Sequence, residues 1–435
     1  MTSIAPSTET LLPYEWPGSY YIGEEEIEAV TKVLMARSPY RFYGHDLQHY
    51  ADRVEDFFRQ RLGRKHAVLV NSGTGALSTA MMAADVGPGD EVLLPGYMWV
   101  ACISAVVRCG AIPRLVDVDD TFTMDPADLE RKINARTKVV LDVHMSGACG
   151  DIERIRDICK ARGVLLIEDV AQANGARFRG KLLGSFGDMA IFSFQYNKNV
   201  TAGEGGLVVS DEDMLGKRAW AYHDVGYARN EQGRVELSLA EEEHGDPHGV
   251  VQTWGQCLHM SEVSAAVLWA QVQRIDLVTA TMRARNRQLY QGLSQIPGAT
   301  PRHVIDPDGD SGPFVLMTFP SGEIAKELVR LTRAAGVRPG PKGIGNISMT
   351  DWGLHIYYNN ISLIKKRGVN SAGRPWSDPL NAFHKDIEYG KGTLPVLDDL
   401  VERSVLITVP PALTEADCAR IIDIYHKAAA QLGMK

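Results

Sequence analysis

Apolar positions along the chain change period repeatedly, and each change marks the edge of an element. Residues 23–36 open with three acids and carry Ile27, Val30, Val33 and Leu34 at helical spacing, which predicts an amphipathic helix. A turn over 41–44 and a helix over 48–62 follow. From there strands and helices alternate. Strands are predicted over 66–70, 91–94, 112–118, 138–144, 164–169 and 189–195. Helices are predicted over 76–84, 99–109, 126–133 and 151–162. The strands are short, apolar and rich in β-branched residues, as in a sheet covered by helices on both faces. Alternation over more than a hundred residues predicts an α/β domain.

Past this region the pattern loosens. Residues 230–250 are polar and acidic, with Glu241, Glu242, Glu243, His244 and His248. That cluster reads as a solvated loop, with metal binding as the other reading. A single long helix is predicted over about 260–296, carrying Val263, Val267, Val272, Ile275 and Met282, and Pro297-Gly298 ends it. A strand over 314–319, a helix over 324–335, a strand over 405–409 and a helix capped at Thr414 predict a smaller α+β unit. The expected organisation is an arm over 1–22, a large domain over 23–258, a connecting helix over 259–298 and a small domain over 299–435. Within the last, residues 336–393 show little periodicity, which suggests a functional loop near a substrate.

The 435 residues suffice for two or three domains' worth of core. A formal net charge of −8 gives no electrostatic reason to expect nucleic acid or an anionic membrane. No apolar stretch reaches the ~18 residues of a membrane span, and residues 1–18 have no signal-peptide pattern. The six cysteines form no C-x-x-C pair, so no metal site is expected of them. Their scatter fits reduced thiols in a cytoplasm.

In sheets of this kind, polar residues at strand ends face the ligand crevice. His144, Asp169 and Lys198 fall at predicted strand ends, as does the small polar loop Asn71-Ser72-Gly73-Thr74-Gly75. Free backbone N–H groups at such a strand-to-helix loop suit a phosphate, although an N-capped helix without a ligand has the same local sequence. Lys198 closes the strand before a glycine-rich turn, Gly203-Glu204-Gly205-Gly206. A desolvated lysine amine there could condense with an aldehyde, although a lysine past a strand is commonly a solvated loop residue.

Taken in order, the motifs are Asn71-Ser-Gly-Thr-Gly-Ala-Leu77, Gly87-Pro-Gly-Asp-Glu-Val92, Val143-His-Met-Ser-Gly147, Glu168-Asp-Val-Ala-Gln172, Ser193-Phe with Lys198, and Gly203-Glu-Gly-Gly206. This string resembles the DegT/DnrJ/EryC1/StrS aminotransferases over about residues 20–430. Ser-Phe-Gln before the lysine and Gly-Glu-Gly-Gly after it look most like the branch that includes scyllo-inosose aminotransferases and aminohydroxybenzoate synthases. The resemblance implies fold type I, with a large, mostly parallel sheet domain and a smaller α+β domain. It also implies pyridoxal 5′-phosphate as cofactor, in the pyridoxamine form during turnover.

On the same resemblance, Lys198 would bond the cofactor covalently and move a proton, and Asp169 would pair with the pyridine nitrogen. Gln172 would reach the phenolic oxygen and Trp99 would stack on the ring. Ser72, Gly73, Thr74, Gly75 and Ser193 would hold the phosphate, with His144 beside the cofactor. Tyr43, Tyr196, His355, Tyr357, Arg374 and Trp376 are candidates for the substrate side. Relatives usually carry an Asn and an Arg where this chain has Cys257 and His259, which puts a contact to the partner subunit's phosphate in doubt. Relatives that dehydrate have histidine in place of the lysine, so Lys198 argues for transamination.

The resulting expectation is a homodimeric, cytoplasmic aminotransferase with shared active sites. It would take an amino group from glutamate or glutamine to a ketone on a cyclitol or sugar, in secondary metabolism such as aminocyclitol antibiotic biosynthesis. One alternative is a nucleotide-diphosphate keto-sugar, with Lys365, Lys366, Arg367 and Arg374 as cations; these also read as a solvated basic run. Others are a ketocarbocycle that aromatises, and a cofactor-binding regulator without turnover.

Overall fold

The structure is a computed structural model that describes residues 12, 13, 16–227, 254–340 and 343–434. Glu241 to His244 and His248 lie outside the described residues, as does most of the expected arm. Strands are numbered in chain order. The large sheet contains β1 (His66–Val70), β2 (Glu91–Pro95), β3 (Ile112–Val116), β4 (Thr137–Val143), β5 (Leu165–Asp169), β8 (Met189–Ser193) and β9 (Gly206–Ser210). Between β5 and β8 lies a two-stranded ribbon of β6 (Arg177–Phe178) and β7 (Lys181–Leu182).

The sheet order is β1-β9-β8-β5-β4-β2-β3. The β2–β3, β2–β4, β4–β5 and β5–β8 pairs are parallel, and β9 alone runs against its neighbours. Successive side chains on a strand face opposite sides, and both sides are dry here. Val68, Val70, Leu94, Leu141 and Ile191 join one core with the helices Gly73–Ala83 and Ala101–Arg108. Ala67, Leu69, Leu93, Val140 and Phe192 join another with the helices Tyr50–Leu62, Ile152–Arg162 and Glu262–Val272.

A second sheet of β10 (Thr300–Pro301), β11 (Phe314–Thr318), β12 (Asn346–Ser348) and β13 (Ser404–Thr408) has the order β10-β11-β13-β12, with every pair antiparallel. The helices Gly322–Ala334 and Glu415–Gln431 and the end of Ile275–Leu293 cover it in a third core.

Two expectations need correction. The long helix over 260–296 is two, Glu262–Val272 and Ile275–Leu293. Between them Arg274 leaves helical geometry at φ −105°, ψ 2°. Its guanidinium reaches the Tyr21 carbonyl at 2.9 Å and Glu26 Oε1 at 2.7 Å. The two anchors reward the break, because Glu26 is buried and its charge needs partners. The stretch 336–393 is irregular in backbone, yet it contains β12 and a chain of short turns whose aromatic side chains are buried. Tyr357, Trp376 and Tyr389 belong to the first core.

Candidate active site

The carboxyl ends of β4, β5 and β8 and the start of the helix Gly73–Ala83 surround a cavity of about 450 Å³. Val143, Asp169 and Ser193 come from strand ends, where an open α/β sheet leaves its crevice, and Ile191 from the middle of β8.

One wall is the helix start. The helix begins at Gly73, three residues earlier than periodicity predicted, because Ser72 is the N-cap and its Oγ accepts the Gly75 N–H at 3.0 Å. Gly73 and Thr74 line the cavity from the first turn, where no preceding turn supplies carbonyl partners. The close packing beneath explains the glycines. A Cβ on Gly73 would come within 2.7 Å of Ser193 Cβ, and one on Gly206 would come within 2.6 Å of the Ser72 carbonyl carbon. Gly203 has φ +81°, the left-handed region that glycine adopts without strain.

The floor is Asp169, 4% exposed at the end of β5. Its Oδ1 accepts the Ala171 N–H at 2.9 Å and its Oδ2 accepts from Cys102 Sγ at 3.3 Å. Burial raises its pKa above the usual carboxylate range, opposed by the Ala171 N–H, Cys102 and Lys198. Lys198 lies in the turn after β8 and opens onto the same cavity. Removal from water lowers its amine pKa, and the charges of Asp169 and Cys102 oppose that only in part. The pair is a base with weakened proton affinity beside a buried carboxylate.

The mouth is aromatic. Trp352 stacks on His355 with centroids 4.4 Å apart, and Trp99 leans on the same imidazole at 4.8 Å. Burial, against a hydrogen bond to the Trp352 carbonyl, pushes His355 down to about 4, so the ring is neutral at pH 7. Gln172 lines the cavity, and its Oε1 accepts the Ser146 N–H at 3.1 Å. That leaves its amide N–H2 as the end able to meet a ligand.

The cavity thus gathers Ser72, Gly73, Thr74, Trp99, Asp169, Gln172, Ser193, Lys198 and His355. Gly75 stands one step back, as the donor to Ser72. His144 does not line the cavity. It lies on the far face of the sheet, bonded to Glu168 at 3.1 Å, with Asp142 at 3.7 Å. Burial alone would lower its pKa, but the Glu168 hydrogen bond and the Asp142 charge together raise it.

Tyr357 and Trp376 are corrected to core residues. The Tyr357 hydroxyl donates to Asp398 Oδ1 at 2.9 Å, and Trp376 Nε1 donates to the Arg367 carbonyl at 3.0 Å. Tyr43, Tyr196 and Arg374 are exposed, and none of them lines the cavity of this chain. Sequence reasoning missed Trp16, Cys102, Gln195, Asn197, Glu204 and Trp352, all of which line it. Cys102 had a signal of a kind, since it stands three positions after Trp99 in the helix predicted over 99–109, although the helix itself begins only at Ala101.

The architecture and the paired lysine and aspartate define a pyridoxal-phosphate enzyme of fold type I, and the residues present fit that cofactor. A helix start can take the phosphate, a desolvated amine the aldehyde carbon and a buried carboxylate the ring nitrogen. The family model for DegT/DnrJ/EryC1/StrS aminotransferases matches residues 20–338, and the chain belongs to that family. It is a pyridoxal-phosphate-dependent aminotransferase.

Similar solved structures include 3-amino-5-hydroxybenzoic acid synthase, at 26% identity over 98% of this chain and 100% of that one, with a TM-score of 0.77. The aminotransferase TlmJ from Streptoalloteichus hindustanus matches at 23% identity over 97% and 100%, with a TM-score of 0.76. DesI, solved in the presence of its TDP-sugar product, matches at 21% identity over 98% and 95%, with a TM-score of 0.73. Among the described residues no helix is long and apolar enough to cross a membrane.

Proposed function

We propose that this aminotransferase moves an amino group from glutamate or glutamine to a ketone on a cyclitol or sugar, in the biosynthesis of an aminocyclitol-type secondary metabolite. We further propose that it works in the cytoplasm as a homodimer. The observation that carries the substrate class is the mouth of the cavity. Trp99, Trp352 and the neutral His355 offer flat, uncharged faces and few fixed charges, which suits a hydroxylated ring. The similarity to an aminohydroxybenzoate synthase supports the same reading. Exposed Arg374 is not part of the cavity lining, which weighs against a nucleotide diphosphate as acceptor.

The residues divide the work. Ser72, Gly73, Thr74 and Ser193 would hold the phosphate, with Gly75 keeping Ser72 in place. Asp169 would hold a proton on the ring nitrogen, and Gln172 would meet the phenolic oxygen. Trp99 would cover the ring. The bound cofactor supplies an electron sink and carries the amino group between donor and acceptor. Lys198 Nζ, its proton affinity lowered, would take a proton from the substrate carbon and return it on the other side of the transfer.

An absorbance titration tests this. The purified holoenzyme should show a visible band from lysine-bound cofactor that bleaches with L-glutamate or L-glutamine. A cyclitol ketone, and not a nucleotide-diphosphate keto-sugar, should restore it. Lys198→Ala should bind the cofactor without turnover, and full activity in that variant would overturn the assignment. A band that ignores every amino acid would favour a regulator.

A further inference from the structure

The turn after β4 hangs by four consecutive carbonyls from residues that lead into the second sheet. Arg302 follows β10, and its backbone N–H donates to the Leu316 carbonyl on β11 at 3.0 Å. Its side chain is buried and reaches the other way. Nη1 donates to the Met145 carbonyl at 3.0 Å and to the Ser146 carbonyl at 3.3 Å, and Nη2 to the Ala148 carbonyl at 3.1 Å. The remaining carbonyl, that of Gly147, accepts from the N–H and the hydroxyl of Ser311, each at 3.0 Å. Nε donates to the Thr121 carbonyl at 2.7 Å, which fixes the plane of the guanidinium.

A serine does not adopt the turn held in this way without strain. Ser146 has φ +61° and ψ 29°, in the left-handed region. Gly147 follows at φ +94°, where a Cβ would come within 2.8 Å of Asp310 Oδ1. Tyr97 is fully buried and closes the remaining side, its hydroxyl 2.9 Å from Ser146 Oγ. The turn delivers one N–H to the cavity wall, that of Ser146, at 3.1 Å from Gln172 Oε1. A backbone N–H can only donate, so it selects the oxygen end of the amide and turns the N–H2 end towards the cavity. Released from its holds, Ser146 would leave the left-handed region and take that N–H with it. The Gln172 amide could then rotate and present an acceptor to an acceptor.

We propose that Arg302 and Tyr97 are positioning residues for the transfer reaction. They hold the turn over 145–148 so that Gln172 presents its N–H2, and not its oxygen, to the phenolic oxygen of the cofactor. The inference deepens the proposed role of Gln172 and rests on it. Neither Arg302 nor Tyr97 lines the cavity, so any effect they have on the cofactor is transmitted.

The test is a pH titration of the visible band of lysine-bound cofactor in the holoenzyme. A hydrogen bond donated to the phenolic oxygen favours its negative charge and so lowers the midpoint. Gln172→Ala should raise the midpoint by about 0.5–1 unit, the equivalent of one neutral hydrogen bond. Arg302→Lys, which keeps the charge but not the fork, should raise it by at least half as much. In the double variant, Arg302→Lys should add nothing to the Gln172→Ala shift. Tyr97→Phe leaves the core filled and should move the midpoint the same way, which keeps the test open if Arg302→Lys does not fold. A wild-type midpoint in both positioning variants would overturn the proposal and leave the role of Gln172 standing. So would shifts that add in full to that of Gln172→Ala, since a purely structural disturbance would act without Gln172. A wild-type midpoint in Gln172→Ala would overturn the role of Gln172 and the proposal with it.

Discussion

The thiol of Cys102 donates to Oδ2 of Asp169 across 3.3 Å, while the Ala171 N–H occupies Oδ1. Burial keeps that thiol protonated, well above its usual pKa, with the Asp169 charge acting in the same direction. Both oxygens of the floor carboxylate are thus oriented before any ligand arrives. Cys102→Ala leaves Oδ2 without its protein donor and should cost about 1–2 kcal/mol in urea unfolding of the apo-protein. Cys102→Ser keeps a donor and should recover most of that loss. A serine variant as unstable as the alanine one would show that packing, and not the hydrogen bond, is what matters.

Gly73→Ala should weaken cofactor binding by about tenfold or more, because the new methyl must displace Ser193 at the helix start. Equilibrium dialysis of pyridoxal phosphate against the variant measures it. Unchanged affinity would place the phosphate elsewhere.

Asp142 provides a pH prediction. It is fully buried, and neither of its oxygens has a hydrogen-bond partner among the described residues. Burial pushes it up to about 6, opposed by His144. A folded-state pKa above the unfolded value means that the folded protein holds the proton more tightly. The associated stability is full below about pH 4 and is lost as pH rises through about 6. Asp142→Asn should therefore be more stable than wild type by about 1–3 kcal/mol at pH 8, with little or no advantage at pH 4. Guanidinium unfolding at the two pH values decides it, and an equal difference at both would refute it.

Tyr357→Phe separates a substrate role from a structural one. The hydroxyl bonds Asp398, and the side chain is 1% exposed in the core. The variant should lose about 1–2 kcal/mol of stability with kcat and KM within about twofold of wild type. A rise in KM at unchanged stability would return Tyr357 to the substrate.

Much of the large domain was legible because its signals are local. Apolar strands such as 66–70 need only their own residues to announce burial on both faces, and Ser72, Asp169 and Lys198 sit where strands end. What stayed hidden depends on distant partners. Gln273 and Arg274 are good helix formers, so nothing nearby announces a break. Its cause, Tyr21 and Glu26, lies some 250 residues upstream. Tyr357 and Trp376 looked like ligand-facing aromatics because the stretch around them has no period. Their burial comes from packing on the large sheet's core, which composition cannot report. Cys102 was hidden for the opposite reason, since a buried thiol on an apolar helix resembles its neighbours.

The segment that carries Trp352 and His355 is pinned to the body that carries Lys198. Tyr389 donates to the Pro113 carbonyl at 2.6 Å, Asn381 to the Gly110 carbonyl at 2.8 Å, and the Val396 and Leu397 N–H groups to Asp117 at 3.0 Å. Swinging that segment away would strip Tyr357, Leu394 and Leu397 from the shared core, at roughly 2 kcal/mol for each side chain. Two walls bolted to one frame do not work as jaws. The spacing between Trp352 and His355 on one side and Lys198 on the other is therefore set by the fold, and a substrate is sized against a fixed frame.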